Sequence, residues 1–254
     1  MGGRWFYTRG SPFLLNFGTI SSLMYSKDEI KRRVGIYASA LVQPGMVVGL
    51  GTGSTAYWVI MALGERMKKE GLVFTGVPTS KITASLCLDM GIPLLELNNV
   101  GTLDIDIDGA DEIDAQLNLI KGGGGALLQE KMVAAASKQL IIIADYSKLV
   151  KQLGVFPLPV EVDPDCWKEV QKGINKTYKV AAILRDKDDL PFLTDHGHYI
   201  LDCYFKVIGQ AQELCADLNN IPGVIENGLF IKMAHKAIVG MPNGRIEQVS
   251  ADYS

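Results

Sequence analysis

Two hydrophobic periods take turns along the chain: short apolar runs suited to strands, and longer stretches in which apolar residues return every three or four positions, as on a helix. From Ser26, KDEIKRRVGIYASALV has the helical period, with Ser26 as N-cap and Asp28 and Glu29 in the first turn, where the helix dipole favours negative charge. Pro44-Gly45 ends it. MVVGLG predicts a strand, and GTGSTA turns directly into a helix over YWVIMALGERMKKEG. LVFTGVPTS reads as a strand, ITASLCLDMG as a helix and IPLLEL as a further strand. DIDID at 104–108 is a strand by its period of two, KGGGG a loop, ALLQEKMVAAASK a helix and QLIIIAD a buried strand. Strands alternating with helices predict a parallel sheet covered on both faces.

The pattern changes after Lys151. FPLPVEV is extended, CWKEVQKGI is helical, and KVAAILR, PFLTD and HYILDCYF predict an antiparallel meander. A helix AQELCADLNNI follows, ended by Pro222-Gly223, and GVIENGLFIK and AHKAIVG predict strands closed by a Pro-Asn-Gly turn at 242–244. The expected fold is α/β: a doubly wound, mostly parallel, Rossmann-like sheet over 27–153 and 231–254, with a smaller α+β domain inserted at 154–230. Residues 1–26 form an N-terminal extension. Its Arg4 and Arg9, its Ser and Thr, and the lack of an acidic residue before Asp28 suit either an organelle transit segment or an unstructured extension.

Composition narrows the function classes. The 254 residues suffice for a real core, and 48% hydrophobic with 21% charged residues is the balance of an ordinary globular protein. A net charge of −3 gives no support to a nucleic-acid or acidic-membrane partner. No apolar run reaches the roughly 20 residues of a membrane span. Cys87, Cys166, Cys203 and Cys215 are widely spaced without a C-x-x-C pair, which argues against a disulfide framework and a zinc site and for reduced, cytoplasmic thiols.

Chemistry concentrates in four segments. In GLGTGST at 49–55, a glycine turn presents N–H groups and the Thr52, Ser54 and Thr55 hydroxyls to an anion at a helix N-terminus. The third glycine of a dinucleotide fingerprint would fall at Ser54, and the Gly-Lys-Ser/Thr ending of a P-loop is missing. A glycine turn needed for packing alone is the competing reading. Asp104, Asp106 and Asp108 share one face of a strand, and only the last reaches its carboxyl end, where an open parallel sheet binds ligands; Asp108 and Asp111 are therefore site candidates. Asp104 and Asp106 read as solvated or capping carboxylates. A calcium loop fails because its twelfth position is Ala115. Lys121, the run Gly122 to Gly125 and Glu130 form the third segment. Consecutive glycines cost backbone entropy, which close backbone approach to a ligand would offset. Burial would raise the Glu130 pKa while Lys121 and the helix N-terminus would lower it, so the sequence leaves its titration open, and a purely dipole-complementing glutamate is the alternative. The fourth is Lys148, a further cation at a strand end or a surface lysine. His196 and His198 suggest a hairpin turn in which His and Gly take positive φ, rather than a metal site.

Taken in order, GLGTGST, DGADE at 108–112, IKGGGGALLQEK at 120–131, ADYSKLVKQLG at 144–154, FPLPVEV at 156–162 and IPGVIENGLF at 221–230 resemble the A-type ribose-5-phosphate isomerases over about residues 26–249. The resemblance implies interconversion of ribose 5-phosphate and ribulose 5-phosphate through an enediolate, with no metal or organic cofactor. By position it makes Glu130 the proton-shuttling base, and gives Asp108, Asp111 and Lys121 ring opening and the oxygens at C1 and C2. It makes Thr52, Gly53, Ser54, Thr55, Gly109, Ala110, Gly122, Gly123, Gly124 and Lys148 substrate-binding positions, and Lys31 a phosphate contact. It also implies a homodimer or homotetramer. Two departures stand out: Lys81 where many members carry an aromatic residue, and His196-Gly197-His198 in place of an asparagine-rich turn expected to lie away from the site. A non-catalytic sugar-phosphate sensor is the alternative from another class, but no DNA-binding segment accompanies it. A sugar-phosphate deaminase or coenzyme A transferase fits the Lys121 to Glu130 spacing poorly.

Overall fold

A computed structural model of the chain describes residues 24–251. Most of the expected extension therefore lies outside the described residues. Its last residues are seated: Tyr25 N–H donates to Pro242 O (3.1 Å), and the Ser26 hydroxyl accepts from Glu29 N–H (3.2 Å) to cap α1, Lys27–Ser39.

The first half builds β1 (Val47–Leu50), α2 (Ser54–Glu70), β2 (Thr75–Pro78), α3 (Lys81–Asp89), β3 (Ile105–Gly109), β4 (Glu112–Ile113), β5 (Leu119–Ile120), α4 (Leu127–Ala135) and β6 (Leu140–Asp145). The second half adds β7 (Leu158–Val162), α5 (Trp167–Tyr178), β8 (Ala182–Leu184), β9 (Asp186–Lys187), β10 (Leu190–Pro191), β11 (Tyr199–Cys203) and α6 (Ala211–Asn219). The chain ends with β12 (Val224–Asn227), β13 (Leu229–Phe230), β14 (Ala234–Gly240) and β15 (Ile246–Ser250).

The main sheet has the order β2-β1-β3-β6-β14-β15, parallel throughout except for the edge strand β15. One face, carrying Leu50, Ile107, Ile143 and Ile238, packs on Val34 and Ala38 of α1 and on Val59 and Leu63 of α2. On the other face, Leu140, Ile142, Ala144, Ala237 and Val239 pack against Ala134 of α4 and against Leu119 and Phe230 of the small sheet β13-β5-β4. An antiparallel sheet β12-β7-β11-β8 carries its own core around Leu158, Val160, Leu201 and Ile174.

Three segments differ from the sequence reading. IPLLEL forms a single bridge, Leu94 to Gly76, and then a 3₁₀ turn at Leu97–Asn99, since Pro93 has no N–H with which to continue a ladder. PFLTD does not enter the four-stranded sheet: β8 pairs directly with β11, and β9 and β10 form a separate hairpin. The turn at 242–244 continues into β15, an edge strand antiparallel to β14 with no counterpart among the expected elements. Among the described residues, no helix is long and apolar enough to cross a membrane.

Candidate active site

Loops collect outside the carboxyl ends of β1 and β3, where the order of connections reverses, and there an open α/β sheet leaves a crevice. A cavity of about 160 Å³ lies at this place. It is lined by Thr52, Gly53, Ser54 and Thr55 after β1, by Gly109 at the end of β3 with Ala110 and Asp111 after it, by Lys121, Gly122, Gly123 and Gly124 between β5 and α4, and by Glu130 of α4. Lys31 of α1, Ile143 and Ala144 of β6 and Lys148 complete it. Lys148 is placed by Asp145, whose carboxylate accepts from Ser147 N–H (3.0 Å) and Oγ (2.5 Å) and so closes the short turn Tyr146–Lys148. All the sequence candidates except Asp108 therefore meet at one cavity. A larger hollow of about 480 Å³ behind the 51–54 turn is walled by Tyr57, Trp58, Ile82 and Leu86, with Asp28 as its one carboxylate, and offers no comparable chemistry.

Asp108 is fully buried beneath the cavity. Its Oδ1 accepts from Thr52 N–H (3.1 Å) and Gly109 N–H (2.7 Å), and its Oδ2 lies 2.9 Å from Lys121 Nζ. Gly51 permits this approach, because a side chain there would occupy the space of the Asp108 carboxylate. Asp108 thus reaches the cavity through Lys121. The Lys121 ammonium also donates to Gly109 O (2.6 Å), stands 3.4 Å from Glu130 Oε2 and lies over the Phe230 ring at 5.5 Å. Burial works to lower its pKa, but the carboxylates of Asp108 and Glu130 overcome that and hold it above the ordinary lysine value. Lys121 is a fixed cation. Glu130 is 4% exposed, and burial pushes its carboxyl up to about 8; Lys121 opposes the rise, while Asp108 and Asp111 add to it. The question left open by the sequence is settled by desolvation.

The glycine loop has mixed reasons for its composition. Gly122 (φ 100°) and Gly125 (φ 79°) sit in the left-handed region, whereas Gly123 must pass close to Asp111 and donates its N–H to Asp111 Oδ2 (2.8 Å). Asp111 is thereby aimed along the cavity wall.

Asp104 caps, as expected, accepting from Val47 N–H (2.9 Å) and pairing with Lys138 (2.7 Å). Several other residues depart from the sequence expectation. Asp106 is neither solvated nor capping. It is fully buried with both carboxylate oxygens unpartnered, because α4 crosses its face of the sheet and places Val133 against the β1–β3 junction. Burial, then Asp108, push its carboxyl well above the ordinary range. The Thr52 hydroxyl turns away from any anion into a cluster with Thr79 (2.8 Å), Ser80 (2.8 Å) and Thr83 (3.2 Å), which leaves Ser54 and Thr55 as the hydroxyls of the turn. That cluster was missed, although Pro78-Thr79-Ser80 stands at the carboxyl end of β2. At 194–198 only Gly197 takes positive φ, and the His198 imidazole bonds buried Glu161 (2.9 Å). The turn is tied to α3, since Asp195 accepts from Lys81 N–H (2.7 Å) next to the hydroxyl cluster, and neither Lys81 nor residues 194–198 line the cavity. Lys81, one sequence departure, thus bonds the residue that precedes the other. Among the described residues, no group of three or more His, Cys, Asp and Glu is arranged to hold a metal.

Comparison with known proteins identifies the family. Residues 75–244 match the family described as ribose 5-phosphate isomerase A (phosphoriboisomerase A). A ribose-5-phosphate isomerase A from Ruegeria pomeroyi is 52% identical over 226 residues, covering 87% of this chain and 86% of the relative. Ribose-5-phosphate isomerase A 1 from Oceanobacillus iheyensis is 50% identical over 217 residues, covering 85% and 96%. Among solved structures, ribose 5-phosphate isomerase A from Methanocaldococcus jannaschii superposes with a TM-score of 0.84 at 41% identity, covering 89% of this chain and all of the other. A D-ribose-5-phosphate isomerase in complex with phospho-erythronic acid gives 0.86 at 37% identity, with the same coverage. The chain belongs to the ribose 5-phosphate isomerase A family.

Proposed function

We infer that the protein is an aldose–ketose isomerase that interconverts D-ribose 5-phosphate and D-ribulose 5-phosphate, and that Glu130 is its base. The observation that carries the assignment of roles is the placement of Glu130, a carboxylate of raised proton affinity, 3.4 Å from the fixed Lys121 cation at the wall of a polar cavity. Moving a proton between adjacent carbons requires one positioned base and a stabilised oxyanion. Glu130 takes the proton from C2, the C–H electrons become the C1–C2 double bond, and the carbonyl pair moves onto O1 beside Lys121. Return of that proton to C1, with passage of the O2 proton to O1, leaves the ketone at C2 and a hydroxyl at C1. Asp111, held by Gly123 N–H, handles ring opening. Asp108 keeps Lys121 in place, and Ser54, Thr55, the glycine loop, Lys31 and Lys148 hold the hydroxyls and phosphate. No metal or organic cofactor enters this scheme.

Phospho-erythronic acid, the ligand of one related structure, is a phosphorylated sugar acid whose planar anionic carboxylate has the shape and charge of an enediolate. It is a suitable probe here. The direct test follows ribulose 5-phosphate formation from ribose 5-phosphate with and without chelator. Absence of turnover in both conditions would sink the isomerase reading, and loss only with chelator would sink the cofactor-free mechanism. The same reading places the protein in the cytoplasm as a homodimer or homotetramer, supported by unpaired thiols and by exposed apolar side chains such as Ile82 and Leu193; light scattering coupled to size-exclusion chromatography tests the oligomer.

A further inference from the structure

Arg185, just past β8, reaches across from the four-stranded sheet to the glycine loop. Its Nη1 donates to Gly122 O (2.9 Å) and Gly123 O (3.2 Å). Its other edge forks onto Asp202 of β11, with Nε to Oδ2 at 2.9 Å and Nη2 to Oδ1 at 2.5 Å. The guanidinium is rigid, planar and mostly withdrawn from water, at 14% exposure, so these bonds hold it as a bracket and not as a swinging surface charge. Its backbone is fixed as well: Arg185 N–H donates to Ile200 O (2.8 Å), and Arg185 O accepts from Phe192 N–H (2.9 Å). The Phe192 ring lies 5.8 Å from the guanidinium and rests on Gly125, where a side chain would stand in its place.

A loop of four glycines does not hold one conformation unaided, because each glycine has more backbone states to lose than any other residue. Gly123 has to be placed accurately, since its N–H holds Asp111. We propose that Arg185, braced by Asp202, is a positioning residue that pins the Gly122 and Gly123 carbonyls and thereby sets Asp111 and the loop amides facing the cavity. The proposal rests on the isomerase reading for its kinetic consequence, whereas the pinning of the loop is a structural statement independent of turnover.

The test compares purified wild-type protein with R185M, R185K, D202N, D111N and the double variant R185M/D111N, well below their melting temperatures. R185M is expected to lose about 10-fold or more in kcat/KM, with KM rising by a larger factor than kcat falls, since misplacing a site element by a fraction of an ångström carries a cost of this order. R185K, which keeps the charge and loses the fork, should recover part of that, and D202N should lose less than R185M. If Arg185 acts through Asp111, R185M/D111N loses little beyond D111N alone. Hydrogen exchange at the amides of residues 123–125 should be faster in R185M than in wild type. Wild-type exchange at those amides in both R185M and D202N, wild-type kcat and KM in R185M, or losses that multiply in the double variant would overturn the proposal. An inactive wild type with faster loop exchange in R185M would instead count against the isomerase reading alone.

Discussion

The Glu130 carboxylate stands 3.4 Å from the Lys121 ammonium, and both side chains are almost wholly withdrawn from water. Burial of that pair fixes the behaviour of each member. The lysine, with two carboxylates beside it, keeps its proton, while the glutamate is drawn toward holding one.

Replacing Glu130 by Gln should leave ligand binding nearly intact and lower kcat by at least about 10²-fold, as loss of a positioned base does. The amide keeps the shape and removes only the proton acceptor. Turnover assays alongside titration with phospho-erythronic acid check this, and wild-type turnover would mean that the base is elsewhere.

The pH profile follows from the raised Glu130 carboxyl. Its ionised form is the base, so kcat/KM should climb with pH up to about 8 and level off above, with the apparent midpoint belonging to the interacting cluster as a whole. Stability runs the other way. An unfolded glutamate ionises near 4.5, so the Glu130 contribution to stability is complete below that value and is lost as pH rises through about 8. A kcat/KM flat between pH 5 and 8 would contradict the assignment.

Lys121→Met should abolish turnover and also destabilise the fold by about 3–5 kcal/mol, because Asp108 and Glu130 would be left buried without their cation. Chemical denaturation measures the second effect. A variant as stable as wild type would show that the carboxylates find other compensation.

Asp106 carries a cost with no visible return: its carboxyl is buried and neither oxygen has a partner. Asp106→Val should therefore stabilise the protein by about 1–3 kcal/mol, the penalty typical of an unsatisfied buried polar group. Since burial raises the Asp106 pKa in the folded state, the gain should grow as pH rises from below 3.8. Melting temperatures at pH 5 and pH 8 decide it, and a loss of stability at both would reveal a hidden partner.

Lys148 stands at the cavity wall beside the Phe156 ring, at 5.9 Å, and makes no ion pair with Glu130 among the described residues. Lys148→Ala should raise KM several-fold while leaving kcat within about a factor of three, the pattern of a group that binds substrate and transition state alike. An unchanged KM would remove Lys148 from substrate binding.

The alternation of strands and helices was legible because each element buries one face and so writes its period locally into the chain. The carboxylates and glycines were legible for a related reason: at the carboxyl end of a strand, a short stretch such as 104–131 carries Asp108, Asp111, Lys121 and Glu130 to one place. Partners distant in sequence were not legible. Asp106 has the same alternating surroundings as Asp108, and only the passage of α4 over that face makes it buried and unpartnered. Nothing near Arg185 announces that its guanidinium meets Gly122, 63 residues earlier. Thr52 reads as an anion ligand until α3 brings Thr83 beside it. Local periodicity and turn chemistry settle which elements form and which side chains stand at strand ends, because those depend on neighbours along the chain. Which carboxylate is solvated, which hydroxyl is free and what holds a glycine loop depend on surfaces packed from distant segments, and so on the fold as a whole.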